Sequence, residues 1–231
     1  MSALSCSLRA AAERGAAPVI PDFKMISPKE GPLFAGRDTA VWARRLEQAG
    51  APALSVVTES THFGGSMDLL ADICAAVSIP VLRKDFIADE GDLAATAAAG
   101  ARAILLICAC LPQDVLTRLY RAALDRGLEP LVEAHTPAEL DFAGRLGARL
   151  VGVNNRDIRT LERDDGSVST TETLAGHKPS GALLVSESGI LTSADARAAL
   201  RAGADAVLVG TAIWRAGDPL AAYRALCGAG R

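Results

Sequence analysis

The sequence predicts a single α/β domain, a closed (β/α)8 barrel preceded by a short helix, and three observations carry that prediction. Eight short aliphatic runs recur along the 231 residues, and alanine-rich amphipathic segments separate them. One junction also repeats: AGAPALSV returns as AGARAILL, LGARLVGV and AGADAVLV. In each copy a glycine ends a helix and a strand begins two or three residues later. Eight such units in roughly 230 residues match the usual size of a (β/α)8 barrel. An open doubly wound sheet is the competing arrangement. It loses its main support because no G-x-G-x-x-G follows the first run.

In chain order, residues 1–17 contain SALSCSLRAAAERG, enough for one short helix, and residues 18–231 make the barrel. The predicted strands are PVIPDF (18–23), ALSVVT (53–58), PVLRKDF (80–86), AILLICAC (103–110), PLVEAH (130–135), LVGVNN (150–155), LLVSES (183–188) and AVLVG (206–210). Several are nearly continuous hydrophobic runs, the mark of parallel strands buried on both faces. Helical spacing appears in DTAVWARRLEQAG, DEGDLAATAAAG, PQDVLTRLYRAALDRG and SADARAALRAG. Acids gather at their starts, where the helix dipole favours them.

Composition narrows the function. Half of the residues are hydrophobic and 22% are charged, which supplies a sizeable core. Net charge is −3 and no basic run occurs, so nucleic acid is not an expected partner. Five cysteines without a C-x-x-C pair read as buried thiols of a reducing compartment, with Cys108 and Cys110 as core fillers. His62, His135 and His177 have no ligand spacing, so no metal site is expected. The N-terminus is too polar for a secretory signal and no later apolar run spans a bilayer. A cytoplasmic protein follows, with no membrane and no required protein partner inferred.

Polarity collects at one end of the strands. Strand one ends in Asp22 and Lys24, strand three in Lys84, strand five in Glu133, strand six in Asn154 and Arg156, and strand seven in Ser186, Glu187 and Ser188. Residues two apart on a strand point the same way, so Asp22 and Lys24 share a face. Buried charges are costly unless paired or used, and in such barrels this end is the active face. Structural readings compete at each position. Asp22 and Lys24 can neutralise one another, and Lys84 can pair with Asp85. Arg83 faces away from Lys84 and is expected to pack on a helix. His135 reads as a hydrogen-bonding loop residue, and His62 as shaping the loop THFGGS. After strands seven and eight, SESGI supplies Ser188 and Gly189, and LVGTAIW supplies Gly210 and Thr211. Small residues and backbone N–H groups in these two loops often cradle phosphate. A buried lysine opposite carboxylates suits acid–base work on a sugar phosphate. From the residues alone the reading stops at a phosphate-binding lyase or isomerase.

The motifs PVIPDFKMISPKEG, ALSVVTESTHFGGS, PVLRKDFI, LVEAH, GVNNRDIRT, VSESGI and VLVGTAI, in this order, closely resemble the indole-3-glycerol phosphate synthase family. The resemblance runs from Pro18 to near the end of the chain. It implies closure of the pyrrole ring of 1-(o-carboxyphenylamino)-1-deoxyribulose 5-phosphate with loss of carbon dioxide and water, and no cofactor. It also implies that Lys84 is the general acid, that Glu133 handles protons in the dehydration, and that Lys24 and Asp22 form a substrate-positioning pair. Asn154 then orients the substrate beside Arg156, and Ser27 and Glu187 contribute to the substrate site. Phe86 and Leu105 line its aromatic end, while Ser188, Gly189, Gly210 and Thr211 hold the phosphate. Two departures stand out. The family reads E-x-K where this chain has Asp22-Phe23-Lys24, which withdraws the carboxylate by roughly one C–C bond, about 1.5 Å. Fewer than twenty residues precede Val19, so less cover is expected over the top of the pocket. Two alternatives stay open: a cyclase or isomerase acting on a related aminodeoxyribulose phosphate, and a non-catalytic phosphate-ligand-binding barrel.

Overall fold

Eight parallel strands form where the aliphatic runs predict them. They are β1 (Val19–Phe23), β2 (Leu54–Val57), β3 (Val81–Lys84), β4 (Ala103–Ile107), β5 (Glu129–Ala134), β6 (Leu150–Asn154), β7 (Leu183–Glu187) and β8 (Ala206–Val209). Each pairs with its sequence neighbours, and β1 also pairs with β8, so the sheet closes into a barrel. The computed structural model describes residues 3–34, 36–156 and 167–228. Residues 157–160 of the GVNNRDIRT motif and residues 229–231 of the barrel segment lie outside the described residues.

The helices are α1 (Leu4–Glu13), α2 (Thr39–Gln48), α3 (Met67–Ala76), α4 (Glu90–Ala98), α5 (Gln113–Asp125), α6 (Pro137–Leu146), α7 (Ser169–Leu174), α8 (Ser193–Ala202), α9 (Thr211–Trp214) and α10 (Pro219–Cys227). Side-chain caps start many of them: Asp38, Ser66 and Asp89 accept from backbone N–H groups of α2, α3 and α4. Thr136 with Glu139, and Thr192 with Asp195, form reciprocal capping boxes on α6 and α8. Gly147 and Gly203 close these two helices, as the repeated junction predicts.

Strand alternation divides the aliphatic residues into two cores. Outward residues such as Val19, Val56, Leu106 and Val151 pack beneath the helices. Inward residues such as Ile20, Leu82, Leu105, Leu131, Val185 and Leu208 fill the lumen, and Leu4 and Leu8 of α1 join them. The contacts of α1 fix which end it closes. Ser5 bonds to Glu129 at the start of β5, Ser7 to the Pro52 carbonyl before β2, and Arg9 to the Gly181 carbonyl before β7. The N-terminal helix therefore plugs the end of the barrel opposite the polar strand ends. Burying its two leucines contributes about 2 kcal/mol each.

One strand and several thiols depart from expectation. The β4 ladder stops at Ile107 and Cys108–Cys110 turn into a 3-10 helix. Cys110 and Cys6 are exposed, and Cys74, Cys108 and Cys227 are only partly buried, so the five are not uniformly buried thiols. A Cys-Ala-Cys run is apolar enough to extend a hydrophobic pattern. Its last paired residue is Ile107, however, and beyond it Cys108 is only partly covered while Cys110 is exposed. Burial still pushes the Cys108 thiol up to about 12, with help from Glu139 and Glu133, which keeps it protonated.

Arg83 does face the helix layer. Its guanidinium bonds to Thr58 Oγ1 at 2.9 Å, to the Asp92 carbonyl and Thr96 Oγ1 at 3.0 Å, and to the carboxylates of Asp85 at 3.0 Å and Asp92 at 3.2 Å. The side chain is buried, and its bonds to Asp92, Thr96 and Thr58 tie β3 to α4 and to the end of β2. Breaking a largely buried ion pair leaves its partners uncompensated, so Arg83→Ala is expected to cost about 3 kcal/mol in denaturant unfolding. A loss below about 1 kcal/mol would place this cluster among ordinary surface pairs. Among the described residues, no helix is long and apolar enough to cross a membrane, and no group of three His, Cys, Asp or Glu side chains could hold a metal ion.

Candidate active site

Near the C-terminal ends of the strands, the lumen-facing residues change from aliphatic to polar. On β5, Leu131 is followed by Glu133, which lies level with Ile107 on β4 and Gly152 on β6. On β7, Val185 is followed by Glu187, level with Asn154 and Leu208. Lys84 ends β3 level with Val57, and Asp22 on β1 lies level with Ser55. Asp22, Lys24, Asn154 and Arg156 are buried, and Glu133 and Glu187 are both 0% exposed.

The two glutamates define the electrostatics. Among the described residues, no hydrogen-bond donor reaches a carboxylate oxygen of either. Burial pushes the Glu187 carboxyl up to about 8; the charges of Glu133 and Asp22 add to this and Lys84 opposes it. Glu133, Asp22 and Lys84 thus all act on Glu187 within a single lumen. Glycine makes the approach possible. An ideal Cβ at Gly152 would lie 2.1 Å from Glu187 Oε1, so only a residue without a side chain lets this carboxyl cross β6 towards Glu133. On the other flank, His135 Nε2 lies 3.7 Å from Glu133 Oε1. Neither ring nitrogen of His135 has a hydrogen-bond partner among the described residues; the residue bonds instead through its backbone N–H, which donates to Glu139 Oε2 at 2.6 Å.

Above this layer, Asp22, Lys24, Lys84 and Arg156 line a cleft together with two turns. One turn contains Ser188 and Gly189, both with left-handed backbones at φ 63° and 70°. The second, Gly210–Thr211, leads from β8 into α9. Its glycine packs on strand one, since a Cβ there would stand 3.1 Å from the Asp22 carbonyl and 3.4 Å from Asp22 Oδ2. Trp214 of α9 donates its indole N–H to the same carbonyl at 2.6 Å. The Trp214, Phe23 and Phe34 rings stack together with centroids 4.2–5.5 Å apart. This packing anchors the loop after β1 to the second turn.

The remaining candidates take different places. Phe86 stands 40% exposed just beyond Lys84. Leu105 is one layer below Glu133, level with Leu131, in the apolar floor. Ser27 is buried in a two-residue hairpin, and its hydroxyl accepts from the Glu30 N–H at 3.4 Å. Ser186 points out of the lumen and bonds to Asn155 and Thr171. Asn154 accepts from the Arg156 N–H at 3.0 Å, which shapes the start of the next loop.

Several participants escape a strand-end reading. The ring of Phe63 lies 5.7 Å from Lys24 Nζ, close enough for a cation–π contact. Glu59, rather than His62, organises the THFGGS loop, accepting from the N–H groups of Thr61, His62 and Phe63. Burial alone would raise the Glu59 carboxyl, but these bonds outweigh it and hold it below its ordinary value. The E-x-x-x-F spacing was the available signal, though such spacing is common.

A (β/α)8 barrel that brings a lysine and three carboxylic residues together beneath paired small-residue turns belongs to the class of barrels suited to acid–base chemistry on phosphorylated small molecules. Comparison with known proteins gives the family. The profile described as Indole-3-glycerol phosphate synthase matches residues 3–226. A protein of that name from Pyrococcus furiosus is 46% identical over 202 residues, covering 87% of this chain and 88% of that protein. One from Pyrococcus abyssi is 44% identical, covering 87% of each. One from Mycolicibacterium vanbaalenii is 44% identical over 212 residues, covering 92% of this chain and 77% of its own length. The chain belongs to the indole-3-glycerol phosphate synthase family.

Proposed function

We propose that this chain is an active indole-3-glycerol phosphate synthase, closing the pyrrole ring of 1-(o-carboxyphenylamino)-1-deoxyribulose 5-phosphate with loss of carbon dioxide and water. The observation that carries the reading is the convergence of Asp22, Lys84, Glu133 and Glu187 from four strand ends into one lumen. The Ser188–Gly189 and Gly210–Thr211 turns lie beside that group and take the phosphate. Phe86 and the Leu105 floor receive the aromatic ring.

Proton balance defines what the side chains must do. Lys84 protonates the ribulose carbonyl oxygen as the carboxylate-bearing ring carbon bonds to that carbonyl carbon. The carboxylate leaves as neutral carbon dioxide, which restores the aromatic ring. The new hydroxyl then departs as water with a second proton, and one proton is lost from the neighbouring methylene. Each turnover therefore takes up one proton in total. Glu133 exchanges protons in the dehydration. Glu187, kept neutral around pH 7 by its burial, adds a carboxylic acid that can donate a hydrogen bond. Lys24, Asp22, Asn154 and Arg156 orient the substrate.

Purified protein mixed with this substrate is expected to generate indole fluorescence and a product of the mass of indoleglycerol phosphate. Substrate that binds without turning over would overturn the reading. Asp22→Glu probes the departure at strand one. Misplacing a positioning group by about 1 Å can cost about a hundredfold in rate, so restoring the missing methylene is expected to raise kcat/KM several-fold. A fall would show that the pocket is fitted to the shorter acid.

A further inference from the structure

We propose that Asn155 is a positioning residue for phosphate binding, acting through the Ser188–Gly189 turn; the proposal rests on that turn being the phosphate cradle. Asn155 is the second asparagine of the NNRD motif. Its neighbour Asn154 belongs to the lumen-facing set, whereas Asn155 points the other way, into a buried polar cluster outside the strands. Its carboxamide N–H groups reach Ser186 Oγ at 2.9 Å, the Glu187 carbonyl at 3.0 Å and the Ser188 carbonyl at 3.1 Å. Its carbonyl accepts from the Thr171 N–H and the Thr171 hydroxyl, both at 2.9 Å. The Asn155 backbone N–H adds a further bond to the Glu187 carbonyl at 2.9 Å.

The direction of these bonds is determined. A backbone N–H only donates, so Thr171 fixes the carboxamide oxygen on its side and aims the amide hydrogens at the end of β7. The Thr171 hydroxyl spends its hydrogen on Asn155, so the Ser186 hydroxyl, 2.7 Å away, must donate to Thr171. Asn155, Ser186 and Thr171 thus form a closed ring of donors in which each bond polarises the next.

The same carboxamide grips the one stretch of backbone that most needs it. Ser188 is the only non-glycine with positive φ among the described residues, and Gly189 follows it in the same left-handed region. A side-chain-bearing residue does not hold that conformation without outside support. Asn155 supplies it by binding the carbonyls on both sides of the Glu187–Ser188 junction. The turn is then held against the cleft that Arg156 and Thr211 also line. Because Thr171 lies in α7, the ring also ties this helix to the cradle.

The test measures inorganic phosphate binding by 31P NMR titration alongside kcat and KM for the phosphorylated substrate. For Asn155→Ala, the phosphate Kd and the KM are each expected to rise about tenfold, with kcat within about threefold of the parent. Thr171→Val leaves the Thr171 N–H in place and removes only its hydroxyl. It should shift both constants in the same direction by about two- to threefold. An Asn155→Ala protein that melts earlier but binds phosphate with the parent Kd would overturn the proposal, because a structural brace alone gives that result. If Asn155→Ala does not fold, Thr171→Val decides, and an unchanged phosphate Kd there overturns the proposal. A parent protein with no phosphate binding would also overturn it. Phosphate binding weakened by these changes, in a parent that makes no indoleglycerol phosphate, would support the Asn155 role while sinking the synthase reading.

Discussion

Lys84→Ala is expected to lower ring closure by about three to four orders of magnitude, the upper range for loss of a general acid, while leaving the barrel intact. The expectation follows from how β3 ends. Arg83 and Lys84 point to opposite sides of the sheet, and Arg83 makes the bonds that hold the strand to α4. The Lys84 carbonyl accepts from the Thr58 N–H at 3.0 Å, and alanine keeps that bond. What is lost is the ammonium group that faces the cleft and the buried carboxyls. Arginine should not restore turnover, because a guanidinium is larger, planar and far less ready to release a proton. The measurement is single-turnover formation of indoleglycerol phosphate, with circular dichroism as the control for folding. A folded Lys84→Ala protein with a rate within tenfold of the parent would remove Lys84 from the chemistry.

The two periodicities that made this chain legible are local. A run such as AILLI or LLVSE declares a strand buried on both faces, and a polar residue at its end declares the mouth of the barrel. Glu133 and Glu187 were visible on that basis alone. What stayed hidden depends on which segments meet in space. The spacing of Leu4 and Leu8 shows that α1 buries one face, yet only the contacts with Glu129, Pro52 and Gly181 show that it plugs the far end of the barrel. Cys108 and Cys110 extend a hydrophobic run in sequence, but β5 offers no pairing beyond Ile107 to bury them. Gly152 reads as one more glycine in a strand. Its role appears only when the Glu187 carboxyl is found where its side chain would be. Ser186 and Asn155 were hardest to place, since serine and asparagine near a loop are ordinary, and the ring they form with Thr171 joins residues 15–31 positions apart.

Glu187→Gln is expected to make the protein more stable and less active, with a stability gain that grows with pH. The folded protein holds the Glu187 proton up to about pH 8, whereas the ordinary value for the carboxyl is 4.5. Below about pH 4.5 the group is protonated in both states and contributes no pH dependence. Between 4.5 and 8 the unfolded chain has released the proton and the folded chain has not. The native state therefore binds more protons, and stability falls as pH rises. Above about 8 the cost is fully present and stays constant. Glutamine copies the shape and hydrogen-bonding capacity of the neutral acid and never ionises, so it escapes this loss. With burial, and then Glu133 and Asp22, raising the pKa and Lys84 lowering it, the gain at pH 8 is expected to be roughly 2–4 kcal/mol. That corresponds to an increase of roughly 5–10 °C in melting temperature for a chain of this size. Below pH 5 the two proteins should melt together. Melting curves that differ by a constant amount from pH 4 to pH 9 would show that Glu187 ionises normally in the folded state. Activity should move the other way, because an amide N–H is a weaker hydrogen-bond donor than the carboxylic acid it replaces. The barrel would then be holding an acid in its lumen at a cost to stability, and the chemistry at the strand ends is the reason it does so.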